Sequence, residues 1–174
     1  MQTLTSVFSE PSHHKPLILE SPEATSQMGE ALARAALQRH PGALLLYGSL
    51  GAGKTTLCRA LVSALPGGDE AEIGSPSFTI CNIYSTQPVV HHFDLYRLLP
   101  GNSDESLDES LECDTVLTIV EWPEHINPRD LPGDGLALRL THGFSDLERR
   151  VEFSPLGPLG SEYLGHVLSY YRHL

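Results

Sequence analysis

Apolar positions along the chain follow two rhythms, and the changes between them mark out the elements. Leu17-Ile18-Leu19 is a short apolar run and reads as a strand. Ser21-Pro22 then supplies a helix N-cap followed by proline at the first helical position. Met28, Leu32, Ala35, Ala36 and Leu37 fall on the buried face of a helix expected from Pro22 to about His40. Pro41-Gly42 ends it. Ala43 to Tyr47 is uninterrupted and apolar, as a buried strand should be. From Lys54 to Leu65 apolar residues return at 57, 58, 61, 64 and 65, the spacing of one helix face. Pro66-Gly67-Gly68 breaks that pattern, and 69–74 is a polar loop.

In the second half, 78–84 is rich in β-formers, Ser85 to Pro88 is turn-like, and 89–95 is again strand-like. Two strands with so short a connection predict an antiparallel hairpin. Alternation puts His92, Asp94 and Tyr96 on one face of the second strand and His91, Phe93 and Leu95 on the other. An aspartate there either meets water at an edge or faces a cation. Eight acids lie between 104 and 124, and Leu107 and Leu111 suggest a short, solvated helix over 103–112. This acidic run reads foremost as a wet surface, with a docking face for a basic partner as the second reading. Thr115 to Val120 is nearly all apolar, as in a strand covered on both faces. Residues 135–140 and 149–153 read as a further strand pair. Gly157-Pro158 precedes a final helix carrying Leu164, Val167, Leu168 and Tyr171.

Composition narrows the class. At 174 residues with 40% hydrophobic and 19% charged residues, the chain suits one globular domain. It reads as a domain over 17–174 preceded by a loose polar arm, 1–16. The net charge of −11 argues against tight stand-alone binding to RNA or DNA, which calls for a basic patch. Cys58, Cys81 and Cys113 are scattered without metal-like spacing, as reduced thiols are. With no secretory signal and no apolar run near the ~20 residues of a membrane span, a cytoplasmic location is expected.

Candidate chemistry begins between the buried strand and its helix. Gly48 to Thr55, G-S-L-G-A-G-K-T, fits the phosphate-binding loop pattern in the right strand–loop–helix context. Glycines at 48, 51 and 53 let the backbone approach a polyanion, and N–H groups of the loop and helix start then point at phosphates. Lys54, one of only two lysines with Lys15, can reach the β- and γ-phosphates, and the Thr55 hydroxyl can ligate Mg²⁺. Glu121 stands at the carboxyl end of the buried 115–120 run, where an acid that binds Mg²⁺ directly or through water belongs. The expected fold is therefore α/β: a single P-loop NTPase-like domain whose mixed sheet has a parallel core and an antiparallel hairpin, with helices on both faces. The nine histidines show no helical metal spacing. Asn127 to Asp130 lacks the lysine of a guanine-reading motif, so 127–134 reads as a loop.

Four segments together, G-S-L-G-A-G-K-T-T-L (48–57), S-P-S-F-T (75–79), H-F-D-L-Y-R-L (92–98) and E-W-P-E (121–124), carry a family likeness. Over about 17–155 the chain resembles TsaE (formerly YjeE), the small bacterial P-loop ATPase of tRNA threonylcarbamoyladenosine synthesis. The resemblance implies a domain that binds ATP and Mg²⁺ and works with TsaB and TsaD. Its turnover would support transfer of the threonylcarbamoyl group to the adenosine beside the anticodon of tRNAs that read codons beginning with A. Carried over by position, Ser49, Leu50, Gly51, Ala52, Gly53, Lys54, Thr55 and Thr56 would cradle the phosphates. Thr55 and Glu121 would hold Mg²⁺, and Asp94 would be the acid needed for hydrolysis. Arg149 aligns with a basic residue near the nucleotide, and Thr25 with a position near the base. The chain departs from the family pattern at Asn82-Ile83-Tyr84, which lacks the usual acid, and in the acidic 102–114 stretch. Two other readings of the loop stand beside this one: a small-molecule or nucleoside kinase, and a non-catalytic, nucleotide-sensing assembly subunit.

Overall fold

A computed structural model describes residues 7–8, 15–70, 80–99 and 105–172. Among them the strands are β1 (Leu17–Leu19), β2 (Ala43–Tyr47), β3 (Cys81–Tyr84), β4 (Val89–Asp94), β5 (Val116–Glu121), β6 (Gly135–His142) and β7 (Arg149–Leu156). The helices are α1 (Pro22–Gln38), α2 (Lys54–Ala64), α3 (Glu105–Leu111) and α4 (Gly157–Tyr171). The strands form one sheet in the order β1-β7-β6-β2-β5-β4-β3. β4, β5, β2 and β6 run parallel, while β3 at one edge and β7 and β1 at the other run antiparallel to their neighbours. The expected mixed sheet with a parallel centre is present.

Alternation along the central strands divides the core. Leu44 and Leu46 of β2, Leu117 and Ile119 of β5, and Leu136 and Leu138 of β6 face a cluster built with α1, α2 and α4. Ala43, Leu45, Tyr47, Phe93 and Val120 face the other way, where Leu107 of α3 and Ile126 cover them. β2 and β5 are buried at every residue, which is why neither shows a polar alternation in sequence.

The N-cap of α1 forms as its sequence predicts: Ser21 Oγ accepts from Ala24 N at 3.2 Å. The helix ends at Gln38, short of His40, because Arg39 is already extended. Leu37, expected in the core, is 49% exposed; the buried stripe runs through residues 28, 29, 31, 32, 33, 35 and 36, and position 37 turns past it. The first hairpin strand starts at Cys81, and Phe78, Thr79 and the rest of the S-P-S-F-T segment lie outside the described residues. Most of the arm, 1–16, also lies outside them. Val7 and Phe8 pack on the sheet, Phe8 edge-on to Tyr47 at 5.3 Å and Val7 O accepting from Ser154 Oγ. No helix among the described residues is long and apolar enough to cross a membrane.

Candidate functional site

Parallel strands end together, so a residue at the carboxyl end of one lies beside the residues at the ends of its neighbours. Glu121, last in β5, pairs in register with Leu46 of β2 on one side and with Asp94, last in β4, on the other. The loop 48–53 leaves β2 two residues after Leu46. Sequence positions 48–55, 94 and 121 are thus brought to one place by strand order alone.

The loop has the backbone that its glycines permit. Gly53 sits at φ 101°, immediately before Lys54 opens α2, and no side chain caps that helix. Its first N–H groups, which have no intrahelical acceptor, remain available to an anion. Gly48 at φ 142° passes so close to β6 that a Cβ there would collide with Leu140 O. Within the loop Ala52 N donates to Ser49 O at 3.1 Å.

Lys54 is buried, 4% exposed, with its ammonium donating to Gly48 O at 2.6 Å and Ser49 O at 3.1 Å. It also lies 3.9 Å from the centre of the Trp122 ring, a cation–π contact. Burial pulls its pKa below 10.5, against the opposing pull of Glu121, Glu124 and Asp94. Trp122 reaches this position because its backbone is left-handed, φ 60°, uncommon for a bulky residue.

Glu121 is 2% exposed. Thr55 Oγ1 reaches both carboxylate oxygens, at 2.9 and 3.1 Å, and His92 Nε2 donates to Oε1 at 3.0 Å. At His92 burial opposes the charged ring, but Cys58 and the Glu121 carboxylate outweigh it and hold the imidazole pKa well above 6.5. Asp94 is half-buried, and its Oδ1 accepts from Tyr96 N at 3.0 Å. Of the two settings open to it in sequence, it takes one shared with a cation, since Asp94 and Lys54 line the same cleft. A hydroxyl and a carboxylate this close are hard oxygen donors that suit Mg²⁺, which takes one or two carboxylates and completes its shell from phosphates and water.

Leu50 to Thr56, Asp94 and Glu121 line one cleft of about 310 Å³, joined by Tyr96, Arg97 and Trp122. Ser49 adjoins it through its carbonyl on Lys54. Thr25 and Arg149 meet the loop at Gly53, where an added Cβ would lie 4.0 Å from Thr25 Cγ2 and 3.9 Å from Arg149 Nε. Thr25 is buried, and its hydroxyl donates to Ser21 O at 3.3 Å. Sequence reasoning did not single out Arg97, His92 or Trp122 as site residues, although all three fall inside the motifs at 92–98 and 121–124. A larger cleft, about 550 Å³, opens at the amino end of β2 among Asp108, Glu112, Asp114, Arg129, Asp130 and Asp134. It places the 129–134 loop away from the phosphate loop, consistent with reading no guanine motif there. Among the described residues no group of three His, Cys, Asp or Glu side chains could hold a metal by itself.

Residues 19–151 match the family model described as "Threonylcarbamoyl adenosine biosynthesis protein TsaE". Among curated proteins, the chain is 36% identical over 118 residues to "tRNA threonylcarbamoyladenosine biosynthesis protein TsaE" of Aquifex aeolicus, covering 67% of this chain and 83% of that one. It is 33% identical over 141 residues to the protein of the same name from Streptomyces coelicolor, covering 79% and 92%. Among solved structures it is similar to Bacillus subtilis YdiB, with a TM-score of 0.67, 28% identity, and 91% and 95% of the two chains covered.

Proposed function

The chain belongs to the TsaE family, and from that premise we propose that it binds ATP with Mg²⁺ and hydrolyses the γ-phosphate in support of tRNA threonylcarbamoyladenosine formation. The observation that carries this reading is the convergence of Lys54, the Thr55–Glu121 pair and Asp94 around a glycine loop that opens α2. The names of the similar proteins support the pathway, and TsaB- and TsaD-like proteins are the proposed companions. The net charge of −11 supports indirect contact with tRNA, through them.

In this reading residues 49–56 cradle the triphosphate, and Thr25 and Arg149 flank the loop at Gly53. Lys54 turns from Gly48 O and Ser49 O toward the phosphates and offsets charge as the terminal phosphoryl group departs. Thr55 and Glu121 would hold Mg²⁺, which would supply neutralisation of the phosphate charge. His92 keeps the Glu121 carboxylate turned toward Thr55. Asp94, in register with Glu121, orients the attacking water or takes its proton. Arg97 adds positive charge at the rim, and Tyr96 and Trp122 wall the cleft against water.

The test is calorimetric titration of Mg-ATP into the wild type and Lys54→Ala. The wild type should bind, with affinity lost when Mg²⁺ is chelated. Lys54→Ala loses charge-assisted bonds worth about 1.5–3 kcal/mol each and should show no binding at ordinary concentrations. Near-wild-type affinity in that variant contradicts the assignment of the loop.

A further inference from the structure

Arg149 opens β7, and its guanidinium makes four hydrogen bonds, each to a main-chain carbonyl. Nε donates to Ala52 O at 3.1 Å and Nη2 to Gly51 O at 3.2 Å. Nη1 donates to Asp146 O at 2.6 Å and Glu148 O at 2.8 Å. A guanidinium has five N–H donors in a fixed plane, so four are engaged by backbone. Two of these carbonyls belong to the phosphate loop and two to the β6–β7 turn, nearly 100 residues away in sequence.

What this does to the loop follows from the geometry of a peptide. In a planar trans unit the C=O and the following N–H point in opposite directions. Fixing the carbonyls of Gly51 and Ala52 toward Arg149 therefore fixes the N–H groups of Ala52 and Gly53 away from it. The Ala52 N–H is engaged inside the loop by Ser49 O. The Gly53 N–H is left aimed from the far side of its peptide, at a residue whose φ of 101° only the surrounding contacts hold in place. The cation also faces the negative ends of two loop dipoles, which would otherwise be free to rotate toward an incoming anion.

We propose that Arg149 is a positioning residue for the phosphate loop, acting through the peptide planes of residues 51–53 and not by contact with the nucleotide. This rests on the nucleotide-binding reading above, and it changes the role that alignment alone assigns to Arg149, from a group near the ligand to the support of the loop that meets the ligand. It also joins the turn at 143–148 to the loop, since the same side chain holds both.

The deciding experiment combines amide hydrogen exchange of the nucleotide-free protein with Mg-ATP titration and steady-state hydrolysis, for wild type, Arg149→Met and Arg149→Lys. Removing the guanidinium should speed exchange within 48–56 by about tenfold or more at the Ala52 amide, which is bonded to Ser49 O, while β5 amides keep their protection. Affinity for Mg-ATP should fall in step, and KM should rise with kcat held at saturation. Arg149→Lys should behave like Arg149→Met, because one ammonium cannot span four carbonyls. A direct charge contact with phosphate predicts the reverse: lysine retains affinity and loop exchange does not change. Unchanged exchange over 48–56 in both variants overturns the proposal, and so does restored affinity in Arg149→Lys without restored protection. Should Arg149→Met fail to fold, Arg149→Lys decides alone. If wild type binds no Mg-ATP, the nucleotide reading falls, while loop exchange in the free protein still decides what Arg149 holds.

Discussion

Asp94 and Tyr47 flank the same loop from different strands, and they separate chemistry from stability. Asp94 stands at the end of β4, in register with Glu121 and outside the glycine loop, so its charge can be replaced without changing the loop itself. Asp94→Asn should keep Mg-ATP affinity within about threefold and lower turnover by about 100-fold or more, the usual contribution of a positioned acid or base. Phosphate release measured at saturating nucleotide checks this, and unchanged turnover removes Asp94 from the reaction. Tyr47 ends β2 with its hydroxyl buried and without a hydrogen-bond partner among the described residues. Burial, followed by the Glu124 carboxylate, pushes its pKa up from 10.0 to about 12, with Arg139 opposing. The folded state thus keeps this proton longer than the unfolded chain does. The stability contribution is complete below pH 10 and is lost as pH rises through about 12. Tyr47→Phe deletes an unsatisfied group, so it should be neutral or up to about 1 kcal/mol more stable at neutral pH. It should also lose less stability on the alkaline side, where Tyr163, likewise pushed up by burial, continues to act. Urea denaturation at neutral and alkaline pH measures both effects.

Between elements, α1 packs closely on α2, and that approach depends on a missing side chain. A Cβ on Gly29 would lie 2.6 Å from Ala60 Cβ and 2.8 Å from Leu57 O. Gly29→Ala should destabilise the fold by about 1–3 kcal/mol, the usual cost of overpacking, read as a lowered midpoint of thermal unfolding. Nothing in the sequence announces that contact; a glycine inside a helix reads only as a weak point. Legibility follows range. The α1 cap at Ser21, the break at Pro41-Gly42 and the loop at 48–55 are local and could be read directly. The Glu121 position was legible because a buried strand has a recognisable end. The four-carbonyl grip of Arg149, the His92–Glu121 bond and the left-handed Trp122 were not, because each depends on strands meeting across the sheet. Leu37 misled for the same reason: periodicity predicts a face, but only the packing partner decides how wide that face is.

On the scale of the whole molecule, the fold sets two unlike ends on one sheet. The carboxyl ends of the parallel strands bring the basic Lys54 and Arg97 to the cleft, and the amino end of β2 opens on an acidic one. This polarity could be anticipated in part: once β2 and β5 are parallel neighbours, the glycine loop and Glu121 must share an end. The full strand order could not be, since β7 and β1 extend the sheet by pairing residues as far apart as Leu17 and Val151. The chain holds a single tryptophan, and that residue lies against the ammonium of Lys54. Its intrinsic fluorescence consequently originates beside the loop, without any attached dye. If Lys54 leaves the indole for phosphate, saturating wild type with Mg-ATP should shift the emission, whereas Lys54→Ala should emit the same light with or without nucleotide. A silent wild-type spectrum at saturation would mean that the lysine stays on the ring, and every step assigned to its movement would have to be redrawn.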